Sequence, residues 1–282
     1  MREIDIIKIG GRKVEIFIPQ DKAVGARPVL FLQDGQNVFN PETSTHGEPW
    51  EADDAATFVS AKRPKPIVVA IWNRQPSEKY PSGRYGEYAP QTITESLKES
   101  DLQTLNGAIP FFPLTGLEYE VFITKKILPG VFEYLADRGI RHRLDPAGVA
   151  IGGSSMGGLS ALNLVARHSD AFGTALSFST HWTMGGKPLA RALIRSLPAP
   201  ESGVRIWLDR GTLDLDSAYA APDVVAEQEL TKLGYKWPQV ECRTFVGTGH
   251  NEIAWRERLP LALEWWLDGM PSALASATKP LA

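Results

Sequence analysis

Gly153-Ser154-Ser155-Met156-Gly157 restricts what this chain can fold into more than any other stretch. It stands between Val149-Ala150-Ile151, a short apolar run, and a segment in which Leu159, Leu162 and Val165 recur at helical spacing. The pattern is strand, tight turn, helix. A serine on such a turn is held at a strained backbone angle with its hydroxyl exposed, which leaves no room for side chains two positions before and after it. Gly153 and Gly157 meet that condition for Ser155, whereas Ser154 would be flanked by Gly152 and Met156. Ser155 is therefore the candidate nucleophile. The helix expected over Met156 to Arg167 would aim its free N–H groups at negative charge developing beside it.

Short apolar runs alternate with helical patterns along the rest of the chain, which predicts one large α/β domain. Ile4 to Ile9 and Lys13 to Ile18 flank Gly10-Gly11 and read as an antiparallel hairpin. Pro28 to Leu32, Pro66 to Ile71, Ala175 to Phe178 and Val204 to Asp209 read as buried strands, and Glu241 to Val246 as the last one. Helices are expected over Trp50 to Ala61, Glu118 to Asp137 with an interruption at Pro129, Lys187 to Leu197, Asp223 to Leu233 and Ile253 to Leu267. The domain is expected to span residues 1–270, with a loop insertion at about 75–117 and a disordered tail over 271–282. Ile109 to Leu114 in that insertion could cap a pocket, join subunits of a homo-oligomer or tuck onto the core.

The 43% hydrophobic residues include no run near the ~20 that a membrane span needs, so no membrane partner is expected. A net charge of −3 gives no reason to bind nucleic acid. The single cysteine, Cys242, excludes an internal disulfide and a cysteine-based metal cluster. The acidic N-terminus lacks an apolar signal region, which predicts a cytoplasmic protein, a trimmed secreted form being the alternative.

A serine hydroxyl needs a base, and the base an acid to orient it. With the order serine, acid, histidine, three histidines follow the turn: His168, His181 and His250. His250 lies in Gly247-Thr248-Gly249-His250, between the last strand and the final helix, and is the expected base. His181, in Ser179-Thr180-His181-Trp182, is a candidate substrate contact. For the acid, the stretch that closes the strand Val204 to Asp209 offers Asp209, Asp214 and Asp216; Asp209 still belongs to the strand end, Asp214, past the Gly211 turn, is the first choice and Asp216 the reserve. The oxyanion would be held by the amides of Met156 and of Gln36, Gly35 allowing the backbone to approach. Trp72, Arg84, His181 and Trp182 are expected to line the substrate pocket.

These motifs resemble the esterase D / enterochelin esterase-like (putative esterase) family. The residues that carry the resemblance are Phe31-Leu32-Gln33-Asp34-Gly35-Gln36-Asn37, Arg84-Tyr85-Gly86-Glu87-Tyr88-Ala89-Pro90, Gly153 to Leu159 and Gly249-His250-Asn251-Glu252. The resemblance implies an α/β-hydrolase fold: a mostly parallel central sheet with antiparallel N-terminal strands, helices on both faces and no large separate cap domain. It also implies a triad of Ser155, Asp214 and His250, a small-molecule ester substrate, and neither metal nor other cofactor. Acyl transfer by the same triad, or a binding protein on a hydrolase scaffold, are the alternatives.

Overall fold

The computed structural model describes residues 3–21, 25–59, 64–97 and 113–270. The 271–282 tail and the 109–112 part of the apolar segment lie outside them. Its centre is an eight-stranded sheet in the order β1-β2-β4-β3-β5-β6-β7-β8. The strands are β1 (Ile4–Ile9), β2 (Arg12–Phe17), β3 (Val29–Gln33), β4 (Ile67–Ile71), β5 (Val149–Ser154), β6 (Thr174–Phe178), β7 (Arg205–Arg210) and β8 (Val240–Thr244). β1 and β2 form the antiparallel hairpin, its turn made by Gly10 and Gly11 at φ 57° and 82°. β2 runs antiparallel to β4, and every pairing from β4 to β8 is parallel. β3, β4, β5 and β6 are buried along their whole length. That is why their sequences are continuous apolar runs rather than alternating ones.

Nine helices are described: α1 (Ala52–Phe58), α2 (Gly83–Tyr88), α3 (Gln91–Ser96), α4 (Gly116–Phe122), α5 (Leu128–Asp137), α6 (Met156–Arg167), α7 (Gly186–Arg195), α8 (Ala220–Lys232) and α9 (Glu252–Asp268). Alternate strand residues feed two cores. Val29, Phe31, Val69 and Ile151 pack with residues of α4 to α8, such as Val131, Leu162 and Leu193. Leu30, Leu32, Val68 and Trp207 pack on the other face with α1 and α9, among Ala56, Trp255, Leu263 and Trp266. The helix expected over Glu118 to Asp137 is continuous, but α4 and α5 are joined by a π-helical turn, Ile123–Ile127. The turn sits just before Pro129, whose ring and missing N–H prevent a regular i to i−4 step there.

The segment from 75 to 117, expected to be a loop, holds α2 and α3. Each has only six residues, too few to show a period in sequence. α2 is pinned both by the buried ring of Tyr88 and by ion pairs: Glu87, 2% exposed, pairs with Arg12 at 2.6 Å and Arg74 at 2.8 Å. Loops leaving the C-terminal ends of β3, β5, β6, β7 and β8 converge, as open parallel sheets place their sites.

Candidate active site

Ser155 caps the N-terminus of α6 at φ 56°, ψ −122°, a conformation costly for any side chain but glycine's. The neighbouring glycines show what holds it there. A Cβ on Gly153 would lie 2.9 Å from the Gly157 carbonyl carbon, and one on Gly158 would lie 2.6 Å from Ser177 Oγ. The sharp turn thus requires bare backbone on both sides. Met156 begins α6, where no carbonyl of the helix can accept its N–H.

His250 Nδ1 lies 2.6 Å from Asp216 Oδ1. The expectation that Asp214 takes this place is corrected by the geometry, because the two acids of one loop diverge. Asp214 stands at φ 51° with its carboxylate against the Cα of Gly249, where a Cβ would meet Oδ2 at 2.2 Å. Asp216, fully buried, turns inward and also receives Ser179 Oγ at 2.8 Å and the Gly211 N–H. Burial alone would raise its pKa, but the hydrogen bonds from His250, Ser179 and Gly211 outweigh it and hold the carboxyl below its ordinary value. With Nδ1–H donated to Asp216, Nε2 of His250 is left as an acceptor. Trp255 and Tyr219 meet the His250 ring at T-shaped angles, with centroids 5.0 and 5.7 Å away.

Ser155 Oγ is 3.4 Å from His181 Nδ1, which also lies 2.8 Å from the Tyr219 hydroxyl. His181 is thus beside the candidate nucleophile, where a residue contacting substrate is expected. Burial, then the nearby His250 and Arg84, hold it down to about 4, so its ring is neutral near pH 7. Tyr219 is buried, and burial keeps its hydroxyl protonated. The sequence offered no signal for Tyr219, which ends the 3-10 helix Asp214–Tyr219 just before α8 and belongs to no motif.

The loop after β3 supplies the second face. Asp34 is left-handed at φ 58° and its N–H donates to Tyr88 Oη at 3.1 Å. Gly35 is obligatory: a Cβ there would lie 2.7 Å from the backbone of Ala70 and Ile71. Gln36, 9% exposed, is held through Oε1 by the Asn73 N–H at 3.4 Å. Gln33 Nε2 donates to the Gly157 carbonyl at 3.1 Å and ties this loop to the serine turn.

Three residues expected to line the pocket are placed differently. Arg84 spends its guanidinium on Asp34, with Nε and Nη2 each 2.6 Å from a carboxylate oxygen. Trp182 is fully buried and donates Nε1–H to Asp223, because its apolar ring fills the core under α7 and α8. Trp72 leaves β4 toward the hairpin, where the Lys13 ammonium sits 3.9 Å from its ring centroid.

A strained serine beside His181, with a second histidine, His250, locked to a buried carboxylate in a neighbouring loop of a mostly parallel sheet of this order, is the arrangement expected of the α/β-hydrolase fold. The putative esterase family model matches residues 117–266. The chain belongs to that family. Among curated proteins none matches the sequence. Solved structures share the fold at low identity. The enterobactin esterase of Shigella flexneri, solved with 2,3-dihydroxy-N-benzoyl-serine, is 18% identical with a TM-score of 0.58, over 94% of this chain and 59% of that one. An IroE-like serine hydrolase of Shewanella oneidensis is 16% identical with a TM-score of 0.63, over 94% and 80%. A ferulic acid esterase is 18% identical with a TM-score of 0.54, over 95% and 98%. This chain therefore spans only about three fifths of the Shigella enzyme. Among the described residues no helix is long and apolar enough to cross a membrane.

Proposed function

We propose that the protein hydrolyses carboxylic esters through an acyl-enzyme on Ser155. The observation that carries this reading is the buried Asp216 at 2.6 Å from His250, together with a serine held at φ 56° on the turn after β5. In this mechanism Nε2 of His250 takes the Ser155 proton as Oγ attacks the ester carbonyl, and returns it to the departing alcohol. Asp216 keeps the Nδ1–H tautomer and stabilises the imidazolium. The Met156 and Gln36 amides receive the oxyanion of the tetrahedral intermediate. Water activated by the same histidine then releases the acid. His181 and Tyr219 border the space where the substrate meets Oγ. The substrate class we favour is an aryl or acetyl ester of the feruloyl or siderophore kind, in keeping with the enterobactin and ferulic acid esterases that share the fold.

The test is hydrolysis of p-nitrophenyl esters from acetyl to decanoyl and of methyl ferulate, by wild type and Ser155→Ala. Turnover that vanishes in the variant is expected. Absence of turnover on every ester, together with no labelling of Ser155 by a fluorophosphonate, would overturn the reading.

A further inference from the structure

Beneath the candidate triad lies a second carboxylate that the mechanism above does not use. Asp209, at the end of β7, is 1% exposed, and Arg258 of α9 is 2% exposed. Arg258 Nη1 is 3.2 Å from Asp209 Oδ1, 3.2 Å from Ser179 Oγ and 3.8 Å from Asp216 Oδ2. Its Nη2 donates to Thr248 Oγ1 and, at 3.4 Å, to the Gly249 carbonyl, in the loop that carries His250. Trp207 Nε1 and the Ser179 N–H complete the donors to Asp209, at 2.8 and 3.3 Å. One buried cation is therefore shared between two buried carboxylates, and it sits closer to the one that does not touch the histidine.

We infer that Asp209 is a positioning residue of the site: it engages the charge of Arg258 and so leaves the Asp216 carboxylate to His250. The physical reason is competition. In a buried site a guanidinium interacts strongly with whichever carboxylate it faces. With Asp209 neutralised, Arg258 turns its full charge on Asp216, and the imidazolium of His250 loses part of the anion that stabilises it. The other groups facing His250 are Asp214, packed on Gly249; the rings of Tyr219 and Trp255; His181, whose field reaches it; and Glu252 two residues on, which lies in the field of Arg84. None of these contacts Arg258 in the bonds given above, so they remain constant across the variants. Burial pushes Asp209 itself up to about 6, against Arg258 and its hydrogen bonds, so its charge is half present at that pH and nearly complete about two units above it.

The inference rests on His250 being the base, and its test reads the histidine directly rather than turnover. The titration of the His250 ring is followed by 15N NMR in the intact protein for wild type, Asp209→Asn and Asp209→Asn/Arg258→Met. In Asp209→Asn the midpoint is expected to fall by about one pH unit. In the double variant, which removes both charges, it is expected to return toward wild type. A structural role alone would make the double variant worse, not restore it. Should Asp209→Asn fail to fold, Arg258→Met alone is expected to leave the midpoint at or above the wild-type one. An unmoved midpoint in Asp209→Asn, a double variant as low as the single, or a lowered midpoint in Arg258→Met would each overturn the inference. Esterase activity absent from wild type would instead refute the proposed function and leave this measurement standing.

Discussion

Both Nε and Nη2 of Arg84 reach the Asp34 carboxylate at 2.6 Å, and Asp34 is the left-handed residue from which the Gly35-Gln36 backbone departs. Arg84 is therefore placed to shape the expected oxyanion site through Asp34. Lysine keeps the charge but has no fork to match two oxygens. Arg84→Lys is expected to lower kcat by about 10- to 100-fold with little change in KM, since a displaced Gln36 amide weakens only the transition state. Steady-state kinetics on one p-nitrophenyl ester decides it. A raised KM at unchanged kcat would return Arg84 to the substrate pocket.

Asp216→Asn and Asp214→Asn separate the two acids of one loop. Asparagine at 216 would present an amide to Nδ1 and favour the wrong tautomer, with an expected loss of kcat on the order of 10³- to 10⁴-fold. Asparagine at 214 tolerates φ 51° and keeps the contact with Gly249, so the expected loss is under about tenfold. Equal losses would contradict the pairing of Asp216 with His250.

The strained turn at Ser155, the place of His250 in the loop after the last strand and the close backbone approach at Gly35 were legible because each needs a residue type at fixed spacing from a glycine. The choice between Asp214 and Asp216 was not, because it depends on the left-handed turn at Asp214. That turn points the first acid at Gly249 and the second at His250. Trp182 and Trp72 were read as pocket residues from their position after strands. Position after a strand does not say which way a ring points: Trp182 turns into the core toward Asp223, and Trp72 turns toward Lys13. Arg84 carried a charge next to the site, but its partner, Asp34, is 50 residues away in the chain. The strands themselves were read to within about two residues, since burial on both faces writes itself into continuous apolar runs.

His181 gives the fold a pH dependence of defined sign. Burial and the neighbouring His250 and Arg84 hold its folded pKa at about 4, against about 6.5 in an unfolded chain. Between those values the unfolded state binds a proton that the folded state does not, so stability is lost as pH falls through the window from about 6.5 to about 4. Thermal unfolding measured across that range should show a shallower decline for His181→Asn than for wild type. Parallel curves would mean that His181 is protonated in the fold without penalty.

Gly153→Ala and Ser154→Ala test the turn from two sides. A methyl on Gly153 would stand 2.9 Å from the Gly157 carbonyl carbon and 3.1 Å from its Cα, and backbone at that distance cannot swing aside as a side chain would. Relief requires the strand and α6 to separate, which moves Ser155 away from His250 and lifts the Met156 amide from the oxyanion position. The expected cost is about 1–3 kcal/mol of stability together with loss of fluorophosphonate labelling. Ser154 is 6% exposed, and its carbonyl is what approaches Arg84, at 3.5 Å. Ser154→Ala leaves that carbonyl in place and is expected to keep activity within a few-fold of wild type. Labelling retained in Gly153→Ala, or lost in Ser154→Ala, would transfer the nucleophile from Ser155 to its neighbour.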